Sequence, residues 1–260
     1  MTIDIVLIGN GSWGKNYIKT CLKFPDINLI VATKENWKLL IDNGPKGAII
    51  ATRPDSHVEI AKYCLERNIP TLIEKPLSFS LKEAEQLKPF NHNILVNHIH
   101  LFSDAYENIK RTIKNSNIIE INTVGIGPIS RPYSNLFDYG IHEVAIVLDL
   151  VKSYPKEIVC KNIILENANF YKIQMVFDNT FTECITGVHI RKEKSLFIRT
   201  DEFNISYNDL NKSNKNLTPL EKVISVLYRH IVGCALDARM GINLSLNALA
   251  VLETCENSLK

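Results

Sequence analysis

The chain has 260 residues, and its 30 Lys and Arg against 28 Asp and Glu leave a formal charge of +2. Signs so evenly interspersed offer no basic field for nucleic acid and no cationic surface for a membrane. With 45% hydrophobic residues, the chain can bury a sizeable core as one domain or two.

Six cysteines (Cys21, Cys64, Cys160, Cys184, Cys234, Cys255) are scattered without C-x-x-C spacing, mostly among apolar neighbours. They read as buried free thiols in a reducing compartment. No apolar run is long enough to span a membrane, and a strand pattern begins almost at once. A cytoplasmic chain without signal peptide or membrane segment is expected.

Ile3–Ile8 is short, β-branched and nearly all apolar, the pattern of a buried parallel strand. Gly9-Asn10-Gly11-Ser12-Trp13-Gly14 follows as G-x-G-x-x-G, and a helix is expected from near Gly14 through Phe24. In such a turn the first glycine permits the tight bend. The second lets a pyrophosphate approach the backbone, and the third lets helix and strand pack closely. The helix N-terminus suits a phosphate. A second strand, Ile27–Thr33, ends where an acid would take the ribose hydroxyl of NAD. Lys34 stands there with Glu35 beside it. Lys34 would suit the 2′-phosphate of NADP, Glu35 the ribose, and both could equally be solvated loop charges.

Gly47–Thr52 is another short strand. Ser56-x-x-Glu59 reads as a capping box after Pro54, and Val58, Ala61, Cys64 and Leu65 fall on one helical face. The strand Thr71–Ile73 runs into Glu74-Lys75-Pro76, and a second capping box, Ser80-x-x-Glu83, opens the next helix. Ile94–Val96 is a strand, with His98–Phe102 expected to continue it extended. Strands alternating with helices imply a parallel sheet.

The pattern changes near residue 120. Ile118–Val124 reads as a strand and Asp138–Val151 as a helix. Glu157–Leu165, Phe170–Phe177, Thr180–His189, Ser195–Arg199 and Phe203–Tyr207 then read as consecutive strands, with Asp178-Asn179 as a hairpin turn. Strands without intervening helices imply an antiparallel sheet and hence a second domain. Asn208–Asn216 is polar and loop-like. Thr218-Pro219-x-Glu221 places an N-cap, an N1 proline and a capping glutamate in register for a helix to Val232, stopped by Gly233. Leu244–Ser258 is the last helix.

Oxidising a secondary alcohol needs a hydride acceptor and a base. His142 is a sound general base, with a reference pKa near ~6.5. Asp138, four residues earlier, would share its helical face and could orient the imidazole or bind a hydroxyl. Lys75 could stabilise alkoxide charge. No thiolate cluster supports a metal site, and none is expected.

Three stretches together resemble the Gfo/Idh/MocA family of NAD(P)-dependent sugar oxidoreductases. They are Ile8-Gly9-Asn10-Gly11-Ser12-Trp13-Gly14-Lys15-Asn16, Ala51-Thr52-Arg53-Pro54-Asp55-Ser56-His57 with Glu74-Lys75-Pro76-Leu77-Ser78, and Asp138-x-x-x-His142. Trp13 and the Asn97-His98-x-x-Leu101-Phe102 stretch look closest to nucleotide-sugar members. The resemblance implies an α/β fold: an N-terminal Rossmann domain with a parallel sheet (1–120), followed by an α+β domain with a predominantly antiparallel open sheet (121–260). The C-terminal helix could pack back on the first domain.

The resemblance also implies NAD or NADP held by Gly9, Asn10, Gly11, Ser12, Trp13 and Gly14, by Lys34, by Thr52, Arg53, Pro54 and His57, by Glu74, Lys75 and Pro76, and by His98. Lys75, Asp138 and His142 would be catalytic, with a cis bond before Pro76. His57 would contact the cofactor or merely cover its helix end, and Trp13 would pack beside the cofactor.

The chain is short for this family. The interval between Lys34 and Ala48 leaves room for one βα unit fewer. The substrate loop, Ile126–Phe137 with Arg131, Tyr133 and Asn135, is trimmed, and Arg53 stands where the family often has proline. Arg131 is either an anion-binding group or a surface charge. The expected activity is hydride transfer between a nicotinamide cofactor and a secondary alcohol or ketone of a sugar or nucleotide sugar. Alternatives are an imine or enone reductase on the same scaffold, or a non-catalytic sensor of dinucleotide or sugar. A homo-oligomer through the second-domain sheet is expected.

Overall fold

The computed structural model describes residues 2–165, 168–208 and 217–260. The elements are, in order, β1 (Ile3–Ile8), α1 (Ser12–Cys21), β2 (Ile27–Ala32), α2 (Trp37–Asp42), β3 (Gly47–Ile50), α3 (His57–Leu65), β4 (Thr71–Glu74), α4 (Leu81–Ala84) and β5 (Ile94–Asn97). Then come α5 (Asp104–Thr112), β6 (Ile118–Gly127), α6 (Ile141–Val151), β7 (Glu157–Leu165), β8 (Ala168–Val176), β9 (Phe181–Val188), β10 (Glu193–Thr200) and β11 (Asn204–Tyr207). Two helices close the chain, α7 (Pro219–Ile231) and α8 (Ile242–Ser258). Of the polar stretch expected as a loop, 209–216 lies outside the described residues.

Two compact units form: Met1–Ile99 with Leu217–Leu246, and His100–Asn216 with Asn247–Lys260. The division differs from one at residue 120 for two physical reasons. Tyr106 and Lys110 of α5 bond to Asp149 of α6, which ties α5 to the second unit. Lys23 pairs with Glu221 of α7, and Gly47 on β3 admits the Ile231 side chain. A Cβ on Gly47 would stand 2.6 Å from Ile231 Cδ1.

The first unit holds a parallel five-stranded sheet in the order β2-β1-β3-β4-β5. Ile5, Val6 and Leu7 have no exposed surface, nor do Ala48, Ile49 and Ile50 of β3. Each such large aliphatic side chain contributes about 1.5–3 kcal/mol by burial. The usual dinucleotide fold has one more strand beyond β2. Here α2, a six-residue helix, is all that fits before β3, which accounts for the missing βα unit. The capping box Thr218–Glu221 forms, and Gly233 ends the segment after α7 at φ +96°.

Ser56 does not cap α3. Its hydroxyl donates instead to Thr52 Oγ1 and to the Arg53 carbonyl, because a 3-10 turn over Pro54–Ser56 precedes the helix. Ser80 does accept Glu83 N–H, while the Glu83 carboxylate takes Ser78 Oγ rather than closing the box. His98–Phe102 is not extended: β5 ends at Asn97, and Ile99–Phe102 is a 3-10 turn leading to the Ser103 cap of α5.

The second unit holds a six-stranded sheet in the order β11-β10-β6-β9-β8-β7. All its pairings are antiparallel except β6 with β9. Asp178-Asn179 makes the expected hairpin between β8 and β9, with Val176 opposite Phe181. Asp138–Val151 is not one α-helix. Leu136–Gly140 is a π turn that passes into α6 at Ile141, and Gly140 in it lies close to Thr186 of β9.

Five of the six free cysteines are buried. Burial pushes the thiols of Cys21, Cys64 and Cys184 up to about 12. No helix among the described residues is long and apolar enough to cross a membrane.

Candidate active site

In a parallel sheet the loops that follow the strands gather at one edge. A crevice opens there where the strand order reverses, here between β1 and β3. The loops after β1 and β3 carry Gly9–Gly14 and Thr52–His57, and that after β2 carries Lys34. Those after β4 and β5 carry Lys75-Pro76 and His98. One edge of the first unit thus collects every cofactor residue named from the sequence.

The three glycines of the turn are demanded by different things. Gly9 has φ +104°, and a Cβ there would lie 2.6 Å from the Ala51 carbonyl, so the loop after β3 requires it. A Cβ on Gly14 would stand 2.1 Å from Gly9 O, so the turn's own closure requires it. A Cβ on Gly11 would meet nothing within 4 Å. The fold makes no demand for glycine at Gly11, whereas a pyrophosphate resting on its backbone would. Gly11 is also the N-cap of α1, without a side-chain cap, and the first turn carries no acid to offset the helix dipole. These features fit a dinucleotide phosphate. Asn10 and Ser12 are exposed around Gly11, and Trp13 is half-buried.

Lys34 is exposed at the end of β2. Glu35 is turned back on Thr33, whose hydroxyl accepts its N–H at 3.3 Å and helps hold its carboxyl below the usual range. Thr52 is half-buried, Pro54 buried, and Arg53 exposed in an ion pair with Asp55.

Lys75 is anchored by a buried network invisible in the motif itself. Glu74 Oε1 accepts the Tyr17 hydroxyl at 2.6 Å and Asn97 Nδ2 at 2.7 Å, and Oε2 accepts the Lys75 N–H at 3.2 Å. Burial raises the Glu74 carboxyl above its ordinary range, against the pull of these donors. Glu74, 4% exposed, therefore braces the loop through its carboxylate. The Lys75–Pro76 bond is cis, as expected.

His57 is likewise held inside the scaffold. It has no exposed surface, and its ring lies between two carbonyls, Nδ1 2.9 Å from Pro76 O and Nε2 3.2 Å from Thr52 O. It ties the loop after β3 to the loop after β4. Burial holds its pKa below the ordinary value. His98 is buried, with Nε2 2.7 Å from the Ser245 hydroxyl at the start of α8.

In the second unit Asp138 lies in the π turn and His142 in the first turn of α6, both buried. Wide turns of this kind occur often at functional sites. The His100 ring meets the His142 ring edge-on, centroids 4.4 Å apart at 79°. Arg131 Nε stands 3.4 Å from Asp138 Oδ2. Glu143 forms a buried ion pair with Lys194 of β10, and Gly125 leaves room for its carboxylate. Neither Glu143 nor Lys194 is legible as a partner in the sequence.

Residues 23–91 match the family model described as "Oxidoreductase family, NAD-binding Rossmann fold", the GFO_IDH_MocA family. The match covers the middle of the first unit and joins the chain by similarity to that family's NAD-binding domain. Its NAD-binding character agrees with the dinucleotide expectation. Comparison with curated proteins finds no match.

Among solved structures, the chain is similar to UDP-N-acetylglucosamine 3-dehydrogenase from Acidithiobacillus ferrooxidans, with a TM-score of 0.86 at 15% identity over 99% of this chain and 98% of that one. It is similar to myo-inositol 2-dehydrogenase from Lactobacillus plantarum, with a TM-score of 0.83 at 16% identity over 99% and 97%. A myo-inositol dehydrogenase from Corynebacterium glutamicum gives 0.82 at 14% identity over 99% and 96%. At such identities the likeness establishes the fold: a Rossmann domain followed by a domain with a mostly antiparallel sheet.

Proposed function

We propose that the chain is an NAD(P)-dependent oxidoreductase that interconverts a secondary alcohol and a ketone on a sugar or nucleotide sugar. The observation that carries the reading is the turn at Gly11, a glycine the fold does not need, beside a loop braced to hold Lys75. The similar sugar and nucleotide-sugar dehydrogenases support the substrate class.

In this reading Gly9–Gly14 and the α1 N-terminus hold the pyrophosphate, and Lys34 tolerates a 2′-phosphate. The nicotinamide, when bound, supplies the hydride acceptor or donor. The Lys75 ammonium stabilises negative charge on the substrate oxygen, and His142 takes the hydroxyl proton. Asp138 binds a neighbouring hydroxyl. The enzyme works in a reducing, cytoplasmic compartment.

We propose further that it self-associates through the sheet of the second unit. Val159, Val176 and Phe181 share one face of that sheet by their pairing register and are 43%, 36% and 41% exposed.

The test is a panel of sugars and nucleotide sugars, with their keto forms, read by nicotinamide absorbance. Turnover of one of them, reduced at least ~100-fold in Lys75→Ala, is expected. Turnover unchanged by that substitution would remove Lys75 from the mechanism.

A further inference from the structure

We propose that Arg131 makes this enzyme selective for an anionic sugar, one with a carboxylate or phosphate close to the reacting carbon. The inference rests on the assignment of Asp138 and His142 to the substrate.

The trimmed loop after β6 holds Arg131 in a defined place. A Cβ on Gly127 would fall 2.1 Å from the Tyr139 ring, so only glycine lets that ring lie across the end of β6. The Tyr139 hydroxyl donates to the Ile129 carbonyl at 2.9 Å and accepts the Ile129 N–H at 3.3 Å. The π turn that carries Asp138 therefore also pins the root of the loop, two residues before Arg131.

Arg131 reaches back to that turn, and its side chain is 33% exposed. Its Nε, shielded from solvent, is 3.4 Å from Asp138 Oδ2, within ion-pair range but too long for a good hydrogen bond. Arg131 makes no other hydrogen bond or ion pair among the described residues. A guanidinium carries five N–H donors in a planar fork that matches a carboxylate or phosphate in two parallel bonds. Nε is the one Arg131 nitrogen buried without a hydrogen-bond partner, and an anion at the terminal nitrogens gains charge-assisted bonds in exchange for water. The Asp138 carboxylate lies on the Nε side of the guanidinium, and the two terminal nitrogens remain for the ligand.

A purely structural arginine on a short loop would spend its fork on backbone carbonyls or on a bidentate carboxylate. This one does neither. A neutral polyol would use Asp138 but would leave the Arg131 fork unsatisfied. The geometry therefore favours a uronate or a sugar phosphate over the neutral sugar. The two anions share this chemistry, and the experiment separates them.

The experiment is calorimetric titration of the whole protein, at low salt and with NADH present, by glucuronate, glucose 1-phosphate and glucose. The same titrations follow on Arg131→Gln and Arg131→Lys. The expected result is that at least one anion binds at least ~10-fold more tightly than glucose. That preference should vanish in Arg131→Gln and recover only in part in Arg131→Lys, which keeps the charge but loses the fork. Preference for glucuronate assigns the carboxylate, and preference for glucose 1-phosphate the phosphate.

Equal binding of all three sugars, no binding of either anion, or a preference that survives in Arg131→Gln would overturn the proposal. Should Arg131→Gln fail to fold, raising salt on the unsubstituted protein decides: the anion must weaken relative to glucose. Because binding is read without turnover, an anion preference lost in Arg131→Gln stands even if no substrate is oxidised, and only the catalytic reading would then fall.

Discussion

Glu74 Oε2 accepts the backbone N–H of Lys75 at 3.2 Å, while Oε1 of the same carboxylate gathers Tyr17 from α1 and Asn97 from β5. The lysine assigned to the chemistry is thus fixed through its own backbone, by a neighbour that holds one helix and two strands together. Glu74→Gln turns one acceptor into a donor facing the Lys75 N–H. We expect a loss of about 1–3 kcal/mol in urea unfolding, with lower turnover. An unchanged midpoint would mean that the network does not brace the loop.

Gly11 and Gly14 should part company. Gly14→Ala drives a Cβ into Gly9 O and should leave little folded protein. Gly11→Ala should unfold like the unsubstituted chain, within about 0.5 kcal/mol, yet bind NADH at least ~10-fold more weakly. Equal NADH affinity would show that the pyrophosphate does not rest on Gly11.

His57 predicts a pH dependence with a definite sign. Burial lowers its folded pKa, so the unfolded chain takes up the proton more readily. The stability from the neutral ring is present above the ordinary histidine pKa of ~6.5, and is lost as pH falls from there toward the lowered folded value. His57→Gln should flatten the slope of unfolding free energy across that window. An identical slope in the variant would assign the titration elsewhere.

Lys194 and Glu143 form an ion pair with side chains 7% and 1% exposed. Lys194→Met leaves a buried carboxylate alone and should cost about 3–5 kcal/mol. Glu143→Gln together with Lys194→Met should recover most of that loss, as measured by urea unfolding of the single and double variants. A double variant as unstable as the single would mean that the lysine acts through something other than the pair.

Most strand positions were readable because their periods and breakers agree. Ile3–Ile8 ends at a glycine turn, and Thr218-Pro219-x-Glu221 caps α7 as its spacing demands. Local signals failed where a remote partner decides. His98 meets Ser245, 147 residues away, so continuing the strand pattern past Asn97 could not place it. Ser56 fails for a local reason, since the 3-10 turn over Pro54–Ser56 sends its hydroxyl to Thr52. The scaffold contacts of His57 and Glu74 have no signature in the motifs that contain them. A motif gives proximity to the cofactor edge, whereas burial decides whether a side chain faces ligand or scaffold. The return of α7 to the first unit rests on the Lys23–Glu221 pair and the clearance over Gly47, contacts with no signature at any of the positions.

The most direct measurement is calorimetric titration of the purified protein with NADH and with NADPH, after checking for cofactor already bound. Saturable binding at one site per chain is expected, with NADPH bound within about tenfold of NADH because Lys34 stands at the end of β2. A folded protein that binds neither dinucleotide would contradict it.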